Sequence, residues 1–209
     1  MISVTANEGA FAFVMQPDTS LLQSNLTDYE PSALMSLLTD MLWSWIKDEI
    51  FPLAKSYLEA GATSDNTALR QRAADFIGNT YFYCPTRFFA ETHSAKGGKV
   101  YPFVFGHRSQ MTPMPEWVRN THMQDIPYVF GIPFLEEGNY TDEDRKVSEY
   151  MMKAVVSFAK YGSPLPPEGM QQWPQFSAEN PYFLWLESGN NTLLRNFADV
   201  TCDLWRNFL

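Results

Sequence analysis

The apolar residues of this chain switch between two periods, and the switches mark its elements. Residues 2–6 (ISVTA) are short and partly β-branched, and they run into Asn7-Glu8-Gly9, so they predict a strand that leaves into a turn. From Pro31 to Ile50, the residues Leu34, Leu37, Leu38, Met41, Leu42, Trp45 and Ile46 fall at spacings of three and four, one face of a helix. Residues 66–92 predict a second helical region, broken near Gly78 and Pro85. Residues 99–105 (KVYPFVF) are rich in β-formers and predict a strand, although Pro102 cannot donate to a ladder. GHRSQMTPMPEW (106–117) carries the breakers of a long loop, with His122 just beyond it. Thr141 then stands as an N-cap before Asp142-Glu143-Asp144, and Val147, Met151, Met152, Val155, Phe158 and Ala159 follow at helical spacing until Gly162. After a Pro-rich loop, YFLWLES and NTLLRNF predict paired strands, and 198–209 a short amphipathic terminal helix.

This alternation of strands and helices predicts an α/β layer architecture. Too few strands are visible for a complete doubly wound sheet, and no repeat or linker divides residues 1–209. The expectation is one end of a larger domain. With 209 residues, 45% of them hydrophobic, and 16 Phe, 10 Tyr and 6 Trp, the chain has material for a sizeable core. A formal charge of −9 with no basic stripe argues against nucleic-acid partners. No apolar run approaches the roughly 20 residues that span a bilayer, so no transmembrane segment is expected. The start, MISVTANEGAFAFVM, has neither the basic region nor the cleavage site of a signal peptide and reads as a chain entered mid-fold.

The two cysteines, Cys84 and Cys202, would be free buried thiols in a reducing compartment. Three N-x-[ST] sequons, at Asn25, Asn139 and Asn190, shift the balance, because N-glycosylation belongs to the secretory pathway. Together they favour an oxidising compartment and a Cys84–Cys202 disulfide. His93, His107 and His122 lie far apart and neither cysteine is in a C-x-x-C, so no metal site is expected, and no Gly-rich phosphate loop occurs. What remains is Glu8 at a strand exit and His122 in a later loop. In α/β-hydrolases the triad runs Ser, acid, His in chain order, with the serine in G-x-S-x-G. The second and third members stand here in that order, whereas G-x-S-x-G occurs nowhere in the 209 residues.

Two blocks carry a resemblance. SVTANEGAF (3–11) and PFVFGHRSQMTPMPEWVRNTHMQDIPYVFGIPF (102–134) resemble the C-terminal third of the carboxylesterase type B family, cholinesterases in particular. The NYTDED helix start, SFAKYGSP followed by WPQF, and the terminal CDLWRNFL continue the resemblance in order to the end of the chain. It implies the C-terminal part of an α/β-hydrolase sheet with flanking helices, incomplete over 1–209, in a secreted or cell-surface serine ester hydrolase that needs no metal or organic cofactor. Glu8 would be the triad acid and His122 the base. Family members usually have aspartate where Asn7 stands. Cys84 and Cys202 resemble the family's last intrachain disulfide. Phe11 falls where cholinesterases place an aromatic facing the choline cation. Ala12 replaces a bulky acyl-pocket residue and Gln124 an aromatic, so a general carboxylesterase is the better expectation than a dedicated acetylcholinesterase.

For His107 and Arg108 the expected role is structural, holding the loop that positions His122, and His93 is expected to be solvated. The expected partners are a small ester, the missing N-terminal part of the same domain, and a second copy through helix 31–50 and the C-terminal helix. The alternative reading is a non-catalytic cholinesterase-like adhesion or interaction module; retention of both Glu8 and His122 favours the enzyme. Residues 1–209 alone are expected to hydrolyse no ester at an enzymatic rate.

Overall fold

The computed structural model describes residues 1–16, 19–22, 36, 38, 51–55, 66–136 and 138–206. The helix predicted over 31–50 and the sequon at Asn25 lie outside the described residues, apart from Ser36 and Leu38 of that helix. Four strands form one sheet in the order β1-β2-β3-β4: β1 (Ile2–Thr5), β2 (Pro102–Phe105), β3 (Tyr182–Leu186) and β4 (Thr192–Arg195). The first three run parallel, with Val4 opposite Val104 and Phe105 opposite Leu186, and β4 closes antiparallel on β3.

Every residue of β2 is buried, as a parallel strand covered on both faces requires. Phe103 and Phe105 point to one face, where Val147, Met151 and Ala154 of the long helix α3 (Asp142–Tyr161) pack with Trp173, Leu184 and Leu186. Val104 points to the other, with Val4, Phe183, Phe176 and Ala90 of helix α2 (Cys84–Ala95). Each fully buried Phe contributes about 2–3 kcal/mol relative to exposure. A third cluster joins Ala12 and Phe13 to helix α1 (Asn66–Gly78) and to Cys202 and Trp205 of the terminal helix α4 (Asp199–Trp205). The result is a three-layer α/β unit, as the sequence pattern predicts, and it forms part of an α/β-hydrolase fold, as the resemblance implies.

The strand over 99–105 is shorter than expected, because Pro102 opens it; as first residue it owes the ladder no donor. The break expected near Gly78 and Pro85 does not occur. Gly78 keeps right-handed helical dihedrals, residues Asn79–Tyr83 widen into a π turn, and Pro85 follows directly as the second residue of α2, where the altered hydrogen bonding of the π turn accommodates the N–H it lacks. Thr141 caps α3 as predicted: its hydroxyl accepts from Asp144 N–H, and Asp144 reaches back to the Thr141 backbone. Gly162 ends the helix at φ 72°. Cys84 and Cys202 are bonded, S–S 2.09 Å, tying α2 to α4 across 118 residues. In the chain-entropy model, closing a loop of that length is worth about 5 kcal/mol. No helix among the described residues is long and apolar enough to cross a membrane.

Candidate active site

Glu8 sits at the C-terminal end of β1, on a turn pressed against α1. The pressing is possible only because residue 9 is glycine: a Cβ there would lie 1.9 Å from the Ala74 carbonyl oxygen. His122 enters from the loop after β2. That loop is fixed through its backbone, with Asn7 N–H donating to Asn120 O (2.7 Å) and the Thr121 hydroxyl to Glu8 O (3.3 Å). Asn120 Nδ2 in turn donates to the His107 carbonyl. Arg119 and Met123, flanking this segment, adopt φ of 49° and 71°, left-handed values that side chains rarely take and that the surrounding bonds must enforce.

The two candidates meet. His122 Nδ1 lies 2.8 Å from Glu8 Oε2, and Glu8 Oε1 accepts Thr5 N–H at 2.7 Å. Glu8 is 4% exposed, whereas the His122 side chain is 40% exposed. Burial pushes the Glu8 carboxyl above its ordinary pKa; the bonds from Thr5 and His122 oppose that, and the charge of Asp125 adds to it. The imidazole packs against the ring of Phe82 at 4.5 Å and that of Phe11 at 5.7 Å. An ionised carboxylate on Nδ1 selects the tautomer with the proton on that nitrogen. Nε2 is then left as an acceptor, which is what a general base requires.

The remaining candidates distribute around this pair. Phe11 is half-buried beside the imidazole; Ala12 is completely covered in the cluster with Phe13. Gln124, off the family pattern, helps fold the histidine loop, since its Oε1 accepts Thr121 N–H at 3.1 Å. His93 is exposed and stacks on Phe89. Asn139 and Asn190 are exposed. No cluster of three or more His, Cys, Asp or Glu side chains among the described residues is arranged to hold a metal ion.

Sequence reasoning expected His107 to support the histidine loop but missed the buried partner through which it does so. His107 Nε2 donates to buried Asp144 (Oδ1, 2.8 Å), which also receives Ser109 Oγ, Tyr128 Oη and both the amide and hydroxyl of Thr141. Burial alone would raise the Asp144 carboxyl, but the Thr141, Tyr128 and His107 bonds overcome it and hold the pKa at about 2. The capping pattern showed Asp144 at the helix start, but nothing in it pointed to His107. Likewise Phe82 and Tyr83 gave no signal, because the π turn that aims them at the site has no sequence pattern of its own.

The geometry can be set beside known proteins. The profile of the carboxylesterase family matches residues 1–205. Similar curated proteins include an acetylcholinesterase from Bungarus fasciatus, 29% identical over 67% of this chain and 23% of its own length. An acetylcholinesterase from Gallus gallus is 30% identical over 67% of this chain and 18% of its own, and a cholinesterase from Mus musculus 31% over 66% and 23%. The chain thus spans less than a third of the length of these relatives. A match that runs through both the strand-exit glutamate and the histidine loop, on a partial α/β-hydrolase sheet, means that this chain belongs to the carboxylesterase family.

Proposed function

We propose that residues 1–209 carry the acid and base of a serine carboxylic ester hydrolase, and that the nucleophile comes from a segment outside these residues. One observation carries the reading: the 2.8 Å contact between a buried carboxylate and Nδ1 of an imidazole that is itself 40% exposed. In the reaction, Nε2 of His122 takes the serine proton as Oγ attacks the ester carbonyl. Glu8 stays ionised and stabilises the imidazolium, which then returns the proton to the leaving alcohol; water, deprotonated in the same way, cleaves the acyl-enzyme. Phe11 borders the alcohol side. A substrate would meet Phe11 rather than Ala12, which is completely covered. On this reading the 209 residues form the C-terminal portion of one α/β-hydrolase domain. The Cys84–Cys202 bond and the exposed sequons Asn139 and Asn190 support secretion or display at the cell surface.

The test is to read the transcript and genomic DNA upstream of the Met1 codon for an in-frame G-x-S-x-G, and to express the chain so completed. A burst with an activated carboxylic ester is expected, with Glu8→Gln and His122→Ala each lowering kcat by about 10³-fold or more. An elbow carrying another residue in place of serine would sink the proposal and leave the non-catalytic interaction module as the reading.

A further inference from the structure

Tyr83 is the last residue of the π turn and the neighbour of Cys84 in the disulfide. Its hydroxyl accepts the Glu8 N–H at 3.0 Å and donates to the Thr5 carbonyl at 3.1 Å. Those two groups are the ends of the turn that presents Glu8. The same turn is closed on its other side by Thr5 N–H on Glu8 Oε1. One phenol therefore supplies both main-chain partners that the turn leaves open, a donor and an acceptor that would otherwise need water.

The phenol itself is held. Its ring lies edge-on to Phe197 at 5.5 Å and presses on residue 78, where a Cβ would come within 2.9 Å of Tyr83 Cε2. The preceding residue, Phe82, covers the His122 ring. Consecutive residues of one π turn thus touch both members of the pair. Desolvation raises the phenol pKa above its ordinary value, so the hydroxyl keeps its proton wherever the site could work. A turn free to shift by about 1 Å would break the contact to Nδ1.

We propose that Tyr83 is a positioning residue for the Glu8–His122 pair: by bridging Glu8 N–H and Thr5 C=O, it holds the carboxylate in line with Nδ1 and so keeps Nε2 unprotonated. The proposal rests on the reading of that pair as acid and base. It separates Tyr83 from residues that merely stabilise the fold, because the tautomer of one histidine is its direct consequence. His107 provides the contrast, since its contact to Asp144 is made through Nε2.

The 209-residue chain, labelled with ¹⁵N-histidine, tests this by nitrogen chemical shifts at mildly alkaline pH, in solution or by magic-angle spinning if it assembles. His122 is expected as the Nδ1–H form, and Glu8→Ala is expected to convert it to the Nε2–H form. Tyr83→Phe, which keeps the ring, should lower the ratio of the two forms at His122 by roughly fivefold, what one ordinary hydrogen bond is worth. His107 should not change, nor should Tyr150→Phe, which removes a hydroxyl bonded to the Leu165 carbonyl, affect His122. A Tyr83→Phe chain with the native His122 tautomer, while Glu8→Ala switches it, overturns the role of Tyr83 and leaves the pair intact. A Glu8→Ala chain without any switch overturns the pair and Tyr83 with it. If Tyr83→Phe moves His107 together with His122, the effect is general loosening and the positioning role is lost.

Discussion

Asn7 and Glu8 are adjacent, yet their surroundings ask for opposite things. Asn7 Nδ2 donates to the Trp117 carbonyl (3.1 Å) and faces Gln71 Oε1, while its Oδ1 accepts from Gln71, whose amide also serves Asp75. An aspartate, usual here in the family, would set a carboxylate against two acceptors and beside Asp75, whose own carboxyl is already raised by burial. Asn7→Asp should therefore cost about 1–3 kcal/mol at pH 7, measured by urea unfolding, and the cost should shrink on acidification as the new carboxyl protonates. Glu8 follows the same sign. Its folded pKa is raised, so it opposes folding at neutral pH and the opposition fades as pH falls. On the proposed reaction, function runs the other way, because protonated Glu8 no longer accepts from Nδ1. On the proposed reaction, kcat/KM for ester hydrolysis should fall on the acid side with two protonations, of His122 and of Glu8, giving a limb steeper than a single group produces. Stability and the proposed activity part at this residue for one physical reason, the desolvation of a carboxylate that the proposed chemistry needs charged.

At the scale of elements, the two helices that matter most to the site act through their ends and edges. Helix α1 approaches the Glu8 turn so closely that Gly9→Ala would drive a methyl into the Ala74 carbonyl. Because backbone meets backbone, relief requires the turn to move; a loss of about 3 kcal/mol is expected in urea unfolding, together with a weakened Nδ1–H form at His122. Helix α3 acts through Asp144. Its folded pKa of about 2 lies below its ordinary 3.8, so its bonds stabilise the fold above pH 4 and are lost as pH falls through 2. That is worth about 2 kcal/mol, and Asp144→Asn should abolish this part of the acid dependence while lowering stability at every pH above it. These elements were unequally legible. The strands at 2–6, 99–105 and 182–197 and the capped helix to Gly162 could be read because local period, caps and tertiary burial agree. The continuity of 66–95 could not, since Gly78 and Pro85 are breakers whose effect a π turn absorbs. That Glu8 and His122 would be brought together could be expected from residue type, chain order and the family resemblance. Tyr83, Asn120 and Asp144 could not, because their roles depend on long-range contacts to backbone and buried groups.

The whole molecule presents two features that a protein standing alone seldom keeps. β1 is the outer parallel strand of the sheet with no neighbour on its far side among the described residues, and parallel sheets are ordinarily covered and continued. Beyond His122, the exposed side chains of Met123, Ile126, Phe130, Phe134 and Leu135 follow within a single stretch, with Phe130 at 72% and Leu135 at 76% exposure. A row of unpaired strand groups and a run of exposed apolar side chains both drive association. The formal charge of −9 opposes it, but surface charge is screened within about 8 Å at physiological salt, whereas apolar burial is not. The 209-residue chain is therefore expected to elute from a sizing column, under light scattering, as an oligomer or aggregate, and more so as salt is raised. With no G-x-S-x-G to form an acyl-enzyme, it should also give no burst with an activated ester. A monodisperse monomer that turns over the ester would mean that β1 and the apolar run are covered from within, by residues outside those described, and that the nucleophile is one of the serines already in the sequence.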